Sequence, residues 1–255
     1  MFHGFQRQQN TRSTVQEKLE MALFELTQKI LTVTCAGRTD TGVHAMGQVV
    51  HADLETVWST ERLQAGLNFY LKNTGVSILK IYRCDLHARF DAKERFYEYQ
   101  ILNRRAPSPL LANRAWHVPR LLDVQLMQEA CSTLIGYHNF DAFRSSACAA
   151  SNPIRTLKSA TVFPDKAADR RTGIQDNLYE HRARDCNARE AIIKLNFSAQ
   201  AFLHNQVRIM VGTIVQIGLG KLDINCIQNA FQSGSRKDAG ITAPAHGLYF
   251  MKIIY

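Results

Sequence analysis

The sequence lacks the two apolar features that direct a chain into or across a membrane. No run of about 18 apolar residues occurs, so a membrane-spanning helix is not expected. Residues 1–7 also lack the apolar core of a secretory signal peptide. We therefore expect a cytoplasmic protein with no membrane partner.

The sequence also lacks any Cys-x-x-Cys pair, a spacing common to zinc and redox sites. Without a secretion signal, its widely spaced cysteines are better interpreted as reduced, mostly buried small hydrophobic residues than as disulfide partners. They are Cys35, Cys84, Cys131, Cys148, Cys186 and Cys226. His44 and His51 show no recognisable ligand spacing, so we expect no metal site.

What the sequence does have is an ordinary globular composition with an excess of positive charge. Its 255 residues are 45% hydrophobic and 21% charged, and the formal net charge is +9. Between residues 80 and 120, nine lysines or arginines occur with four acids, which accounts for more than half of that excess. A basic surface attracts nucleic acid, acidic proteins or anionic lipid, and composition alone does not choose among them. A solvated basic face is the alternative.

Hydrophobic periodicity predicts four helices and seven strands, intermixed as in an α+β or mixed α/β fold. The first helix begins near Ser13, with Gln16 completing a capping box. The other predicted helices cover residues 124–135, with Asp123 as N-cap, 203–218, and 224 to about 232. The predicted strands cover residues 30–35, 47–54, 76–83, 95–102, 157–163, 191–197 and 248–254.

One segment differs in composition from the rest of the chain. Residues 164–190 are charged and poor in large apolar side chains, and they lie between two predicted strands. This composition predicts a long surface excursion or a disordered loop.

Asp40 lies in a polar loop between two predicted strands, within residues 35–44, Cys-Ala-Gly-Arg-Thr-Asp-Thr-Gly-Val-His. Gly37 and Gly42 bracket the loop and permit backbone angles, and a close ligand approach, that other residues resist. Arg38 lies two positions before the acid, where a cation favours the ionised carboxylate. This arrangement is typical of a nucleophile or a base. The alternative is a turn residue that satisfies its own backbone.

The triplet Asp-Thr-Gly at residues 40–42 also matches the signature of aspartic proteases. That chemistry needs a second carboxylate, from a second triplet or a symmetric dimer partner, to share one proton. No second Asp-Thr-Gly occurs, and Arg38 would favour full ionisation of the acid. A protease function is therefore nearly excluded.

Arg208 and Tyr97 are two further candidates. Arg208 lies in a predicted helix that is apolar in nearly every direction, so we expect it to be buried and to need an anionic partner. That partner is either an unspecified structural carboxylate, Asp40 or an RNA phosphate. Tyr97 lies on a predicted strand, where it either packs in the core or stacks on an unpaired base.

Together these segments resemble the TruA family of tRNA pseudouridine synthases. The motifs lie in the family's order over nearly the whole chain, and the Ala-Gly-Arg-Thr-Asp block with the downstream arginine helix is highly specific. They are residues 4–8 (Gly-Phe-Gln-Arg-Gln), 13–20, 36–45, 47–51, 87–90 (His-Ala-Arg-Phe), 95–99 (Arg-Phe-Tyr-Glu-Tyr), 136–140, 202–208 (Phe-Leu-His-Asn-Gln-Val-Arg) and 245–248.

The resemblance implies the pseudouridine synthase fold, with a central, mostly antiparallel sheet flanked by helices. It implies a single catalytic domain of two similar α/β halves, about 1–105 and 106–255, with 164–190 as an inserted surface loop. The implied function is isomerisation of uridine to pseudouridine in the anticodon stem-loop, at positions 38, 39 and 40 of tRNA, by a homodimer. An isomerisation of this kind requires no redox cofactor, nucleotide or metal.

The resemblance also implies a role for each candidate residue. Asp40 matches the family's essential aspartate, which attacks the uridine at the ribose anomeric carbon or at C6 of the ring. Tyr97 matches the tyrosine that packs against the target base and is implicated in removal of the C5 proton. Arg208 matches the arginine that pairs with the catalytic carboxylate. Arg38 matches the motif arginine that helps to hold the flipped nucleotide.

The chain departs from the family's pattern at three places. It opens almost at the first motif, so we expect the first N-terminal strand of the central sheet to be missing. Phe5 replaces the usual tryptophan, which removes an indole N–H donor, and residues 164–190 exceed the usual short connection. A catalytically inactive tRNA-binding relative is therefore the alternative, although all four candidate residues are retained.

Overall fold

The computed structural model describes residues 2–8, 13–165 and 191–255. The chain divides into two compact units: unit 1 comprises Met1–Lys93 with Lys252–Tyr255, and unit 2 comprises Glu94–Met251. The predicted surface or disordered segment lies outside the described residues, except for residues 164 and 165, which end a strand. No helix in the described part of the chain is long and apolar enough to cross a membrane.

Unit 1 combines two helices with very short strands. In chain order its described elements are α1 (Val15–Thr27), β1 (Thr34–Cys35), β2 (His44–Ala45), β3 (Val50–His51) and α2 (Thr60–Tyr70). Leu19 and Leu23 of α1 share a buried core with Leu63 and Leu67 of α2, and Phe5 joins this core. The aromatic residue of the first motif therefore acts as a core residue.

Helix α1 is confirmed, but it begins one residue later than predicted. Thr14 is its N-cap, because the Thr14 Oγ1 accepts the Glu17 N–H at 3.2 Å. The Glu17 carboxylate in turn accepts the Ser13 N–H at 2.7 Å. Ser13 has a φ of 76°, in the left-handed region, so it cannot adopt the extended geometry of an N-cap. The predicted box of Ser13 and Gln16 is wrong by one position.

The strand predicted at residues 76–83 is wrong, and the unpredicted helix α2 explains why. The structure describes these residues and assigns no strand to them. Asn68 of α2 accepts the Ile78 N–H at 2.7 Å and donates to the Ile78 carbonyl at 2.9 Å. Gln64 donates to the Leu79 carbonyl at 2.7 Å. Helix side chains thus supply hydrogen bonds that a neighbouring strand would otherwise supply.

The strands predicted at 30–35 and 47–54 are regular over only two residues each. β1 and β3 pair antiparallel, with Thr34 opposite His51 and Cys35 opposite Val50. This short ladder brings the two ends of the intervening loop side by side, and that loop contains Asp40.

Unit 2 is built around a sheet with long strands. Its described elements are β4 (Glu94–Asn103), β5 (Trp116–Val118), α3 (Val124–Leu134), β6 (Gly136–Asn139), β7 (Ile154–Asp165), β8 (Ala191–Ala199), α4 (Gln206–Gly218), α5 (Cys226–Ser233) and β9 (Leu248–Ile254), although residues 252–254 of β9 are assigned to unit 1. The strand order is β9-β4-β8-β7-β6, and β5 lies parallel beside β4. The pairs β4–β8, β8–β7 and β7–β6 are antiparallel. Since α3 packs against β7, the predicted α+β class with a mostly antiparallel sheet and flanking helices is confirmed.

Helices α3 and α4 show how well local signals set helix ends. The predicted cap of α3 is confirmed, since the Asp123 carboxylate accepts two N–H groups of the first turn. Helix α4 begins three residues later than predicted, because Asn205 has a φ of 63° and the Leu203 carbonyl accepts the Gln206 N–H in a turn. Arg208 therefore lies in the first turn and is half-buried, not fully buried as expected.

Candidate active site

The loop that contains Asp40 is held at its base by hydrogen bonds between its two arms. The Ala36 N–H donates to the Val49 carbonyl at 2.9 Å. The Gln48 side chain donates to the Gly37 carbonyl at 2.6 Å. These bonds continue the β1–β3 pairing into the loop and define the direction in which it leaves the ladder.

The tip of the loop is closed by its own main chain and braced by the N-terminal segment. The Asp40 carbonyl accepts the Val43 N–H at 3.1 Å, and the Thr39 carbonyl accepts the Phe5 N–H at 3.0 Å. Gly4 has a φ of +85°, and a Cβ added there would lie 2.9 Å from the Thr39 carbonyl oxygen. Only glycine fits this close approach without strain. The backbone on both sides of the Asp40 side chain is therefore fixed.

Two arginines influence Cys35, which ends strand β1 where the loop begins. Burial raises the pKa of the Cys35 thiol, while Arg38 and Arg89 oppose the rise by favouring the thiolate. Arg38 is exposed and Asp40 is half-buried. Arg38 follows Cys35 by three residues, and Arg89 follows Ala88, whose N–H donates to the His51 Nδ1 on β3, so both lie near the strand that leads to Asp40. Such a positive field attracts anions, including the phosphates of a nucleic acid.

In unit 2, Tyr97 lies on β4 among aromatic rings. Its ring meets Phe202 edge-on at a centroid distance of 5.1 Å and Phe250 at 4.9 Å. Phe197 lies opposite it in the β4–β8 register. Tyr97 is nevertheless only half-buried. The ring is both packed and partly accessible, so core packing and contact with a base are compatible.

Two of the hydrogen bonds of Arg208 go to neutral acceptors. Its Nε donates to the Ala243 carbonyl at 2.8 Å, and its Nη1 donates to the Asn205 Oδ1 at 2.8 Å. This contact depends on Gly212, since an added Cβ there would lie 1.7 Å from the Ile241 carbonyl oxygen. These two hydrogen bonds fix the orientation of the guanidinium group.

Sequence-based reasoning missed Tyr99, which ties the same loop to β4. The Tyr99 hydroxyl donates to the Pro244 carbonyl at 2.8 Å. Burial raises the pKa of Tyr99 far above its usual range, against the opposing effect of Arg208. Its sequence signals are its place at the end of the motif at residues 95–99 and its position two residues after Tyr97, on the same face of the strand. Tyr97 and Tyr99 thus lie on one face of β4, and Tyr99 and Arg208 donate to adjacent residues, Pro244 and Ala243.

The structure places the predicted site residues in two sets, one in each unit. Arg38 and Asp40 share the loop of unit 1, and Arg89, which the sequence identified only as part of a motif and a basic cluster, belongs with them. Tyr97 and Arg208 are held in unit 2. Among residues 2–8, 13–165 and 191–255, no group of three or more His, Cys, Asp or Glu side chains is placed to hold a metal ion.

Comparison with known proteins gives a consistent result over the whole chain. A family model described as tRNA pseudouridine synthase matches residues 1–91 and 130–255. The tRNA pseudouridine synthase A of Wolbachia pipientis subsp. Culex pipiens is 40% identical over 256 residues, covering 100% of this chain and 95% of that protein. The proteins of the same name from Anaplasma phagocytophilum and Rhodospirillum centenum are each 41% identical, with 100% of this chain covered and 95% and 94% of theirs.

Proposed function

Because the chain belongs to the tRNA pseudouridine synthase family, we propose that it isomerises uridine in the anticodon stem-loop of tRNA, with Asp40 as the nucleophile. Its membership identifies an isomerase that acts on tRNA. The proposal adds positions 38, 39 and 40 of tRNA as the targets. The main support for this proposal is the Asp40 loop. Its backbone is fixed on both sides of Asp40, and Arg38 and Arg89 both influence Cys35, where the loop begins.

The proposed reaction exchanges one bond for another. Asp40 attacks the ribose anomeric carbon or C6 of uracil, and the bond from ribose C1′ to N1 breaks. The base turns, C1′ bonds to C5, and the carboxylate leaves. The C5 proton is lost and N1 gains a proton, so atoms and electrons balance. This isomerisation requires no redox cofactor, nucleotide or metal.

The remaining candidates have distinct roles in the proposal. Arg38, exposed and two residues from Asp40, helps to hold the flipped nucleotide. Tyr97 contacts the target base with the accessible part of its ring and assists removal of the C5 proton. Arg208 is a cation that favours an ionised nucleophile. Flipping the uridine costs a few kcal/mol, and stacking of about 1–3 kcal/mol per base offsets that cost.

The proposal also covers assembly and location. We propose a homodimer that acts in the cytoplasm, where tRNA is modified. Two similar α/β halves, about 1–105 and 106–255, would function as one catalytic domain.

Release of tritium from tRNA labelled at uridine C5 tests the proposed function. The unaltered chain should release tritium, and Asp40→Asn should reduce release to background because an amide cannot act as the nucleophile. Asp53→Asn, which changes an exposed acid of the same unit, is the matched control and should leave release unchanged. Binding of tRNA without release by the unaltered chain would instead support the catalytically inactive relative.

A further inference from the structure

Phe90 is an exposed aromatic ring held by a tightly bonded turn. The His87 N–H donates to the Asp91 carboxylate at 2.7 Å, and the Asp91 N–H donates to the His87 carbonyl at 3.1 Å. The His87 Nδ1 accepts the N–H groups of Arg89 and Phe90, each at 3.2 Å. The turn therefore fixes the backbone at the ring's point of attachment.

The ring itself contacts its two neighbours in the turn, His87 and Arg89. It stacks on His87 at a centroid distance of 4.3 Å and an interplanar angle of 28°. The Arg89 guanidinium carbon lies 5.6 Å from its centroid. Despite these contacts Phe90 is 73% exposed. Single exposed apolar side chains are common, so exposure alone indicates no ligand, but this ring is also fixed by its turn and lies beside a cation.

This turn is anchored close to the strand that leads to Asp40. The His51 ring meets His87 edge-on at 4.5 Å, and its Nδ1 accepts the Ala88 N–H at 3.1 Å. His51 is paired with Thr34 across β1 and β3, one residue before Cys35, the thiol that Arg89 influences. The exposed ring and the Asp40 loop are thus built on the same short ladder.

The chemistry of this surface favours a nucleic-acid base. Every base has a π-face that stacks on an aromatic ring without sequence preference, and an adjacent arginine can hold the neighbouring phosphate. Arg89 and Arg38 provide positive charge on this side of unit 1, within a chain of net charge +9. An acidic protein would use the charges but would not need a fixed and exposed ring.

We propose that the Phe90 surface, formed by His87, Arg89 and Phe90, stacks one unpaired base of the tRNA loop beside the reacting uridine. Arg89 binds the phosphate next to that base. This inference rests on the proposed function and assigns a subsite within it.

The test measures the dissociation constant of an anticodon stem-loop RNA for the full chain carrying Asp40→Asn, which prevents turnover. Phe90→Leu removes the π-face but keeps an apolar side chain, and it should weaken binding about ten-fold. Phe90→Trp should bind as the parent does. Phe69→Leu is the matched control, because Phe69 is also 73% exposed in unit 1, and it should have no effect.

A blunt RNA duplex without unpaired bases distinguishes base stacking from nonspecific binding to the RNA backbone. Phe90→Leu should not change its affinity. Arg89→Ala should lower the salt dependence of stem-loop binding by about one phosphate contact, whereas Arg62→Ala, at an exposed arginine of α2, should not. Thermal melting of Phe90→Leu should match the parent, since the side chain is exposed.

Three outcomes would overturn the inference. They are a Phe90→Leu affinity within two-fold of the parent, an equal loss from Phe69→Leu, and an equal loss on the duplex. Unchanged RNA affinity with loss of self-association in sedimentation would assign the ring to a protein contact. Tritium release by the unaltered chain is measured separately, so failure of the subsite and failure of the proposed reaction give different results.

Discussion

Unit 1 holds the loop of Asp40 with a few separate hydrogen bonds, whereas unit 2 places Tyr97 on long, continuously paired strands and Arg208 on a largely buried helix. Gln48 bonds to Gly37 in the first case, as Asn68 bonds to Ile78 elsewhere in the unit. In unit 2 the β4–β8 register runs unbroken over residues 95–103. A single polar side chain therefore provides a larger share of the support in unit 1. To disrupt the support in unit 2, a substitution must force main-chain segments apart.

The largest effect should come from a steric insertion in unit 2. Gly212→Ala would place a methyl group 1.7 Å from the Ile241 carbonyl oxygen, so the loop that carries Ala243 must move away from Arg208. We expect the free energy of unfolding to fall by about 3 kcal/mol, and tritium release to fall with it. Urea titration measures the first quantity.

Gly66→Ala is the matched control for that prediction, in helix α2 of unit 1. Its new methyl would meet the Leu26 Cδ1 at 2.7 Å, the end of a side chain that can rotate. Alanine's higher helix propensity, about 1 kcal/mol, offsets the crowding, so the net change should stay within about 1 kcal/mol. Equal losses from both alanines would contradict the contrast between the units.

A smaller effect should follow loss of one side chain in unit 1. Asn68→Leu removes the donor and the acceptor that serve Ile78, and we expect a loss of about 2 kcal/mol in unfolding free energy. Asn229→Leu, at an exposed asparagine of α5 in unit 2, should change it by no more than about 0.5 kcal/mol. Similar losses at both positions would show that side-chain bonds are not specific to unit 1.

The smallest effect concerns acid stability at the start of α1. The Ser13 N–H lowers the pKa of Glu17 below its ordinary value of 4.5, so the carboxylate stabilises the folded chain above that pH. The contribution is lost as pH falls through the lower folded pKa. Glu17→Gln should cost about 0.5 kcal/mol at pH 7, because solvent screens this partly exposed group.

Thermal melting across the acid range checks that prediction. The difference between Glu17→Gln and the parent should shrink as pH falls below 4.5. A constant difference down to low pH would assign the loss to packing and not to the charge.

Helix ends and long strands could be predicted because their signals are local. Asp123 caps α3 from the adjacent position, and the alternation of β4 lies within ten residues. Residues 76–83 show the limit of such signals. Their pattern is that of a strand, but the pattern does not specify whether a strand or the side chains of α2 will supply the hydrogen bonds.

The same limit applies to the candidate site. Arg38 and Asp40 could be identified because they lie in one contiguous motif. The residues that support this motif could not be identified in the same way. Gly4, for example, is distant in sequence and acts through the close approach of its backbone to the Thr39 carbonyl. The acceptor that Ala243 offers to Arg208 likewise depends on how a loop meets a helix, and no local pattern encodes that contact.

The buried hydroxyl of Tyr99 links proton release to unfolding. Its phenol keeps its proton in the folded chain, because burial raises its pKa above the ordinary value of 10.0 that applies once the chain unfolds. Below pH 10 this hydroxyl remains a fixed donor to the Pro244 carbonyl. As pH rises beyond that value, ionisation of the phenol stabilises the unfolded chain, whereas the folded chain keeps its proton and is not stabilised. Alkaline pH therefore lowers the stability of the folded chain, and with it the stability of the loop that orients Arg208.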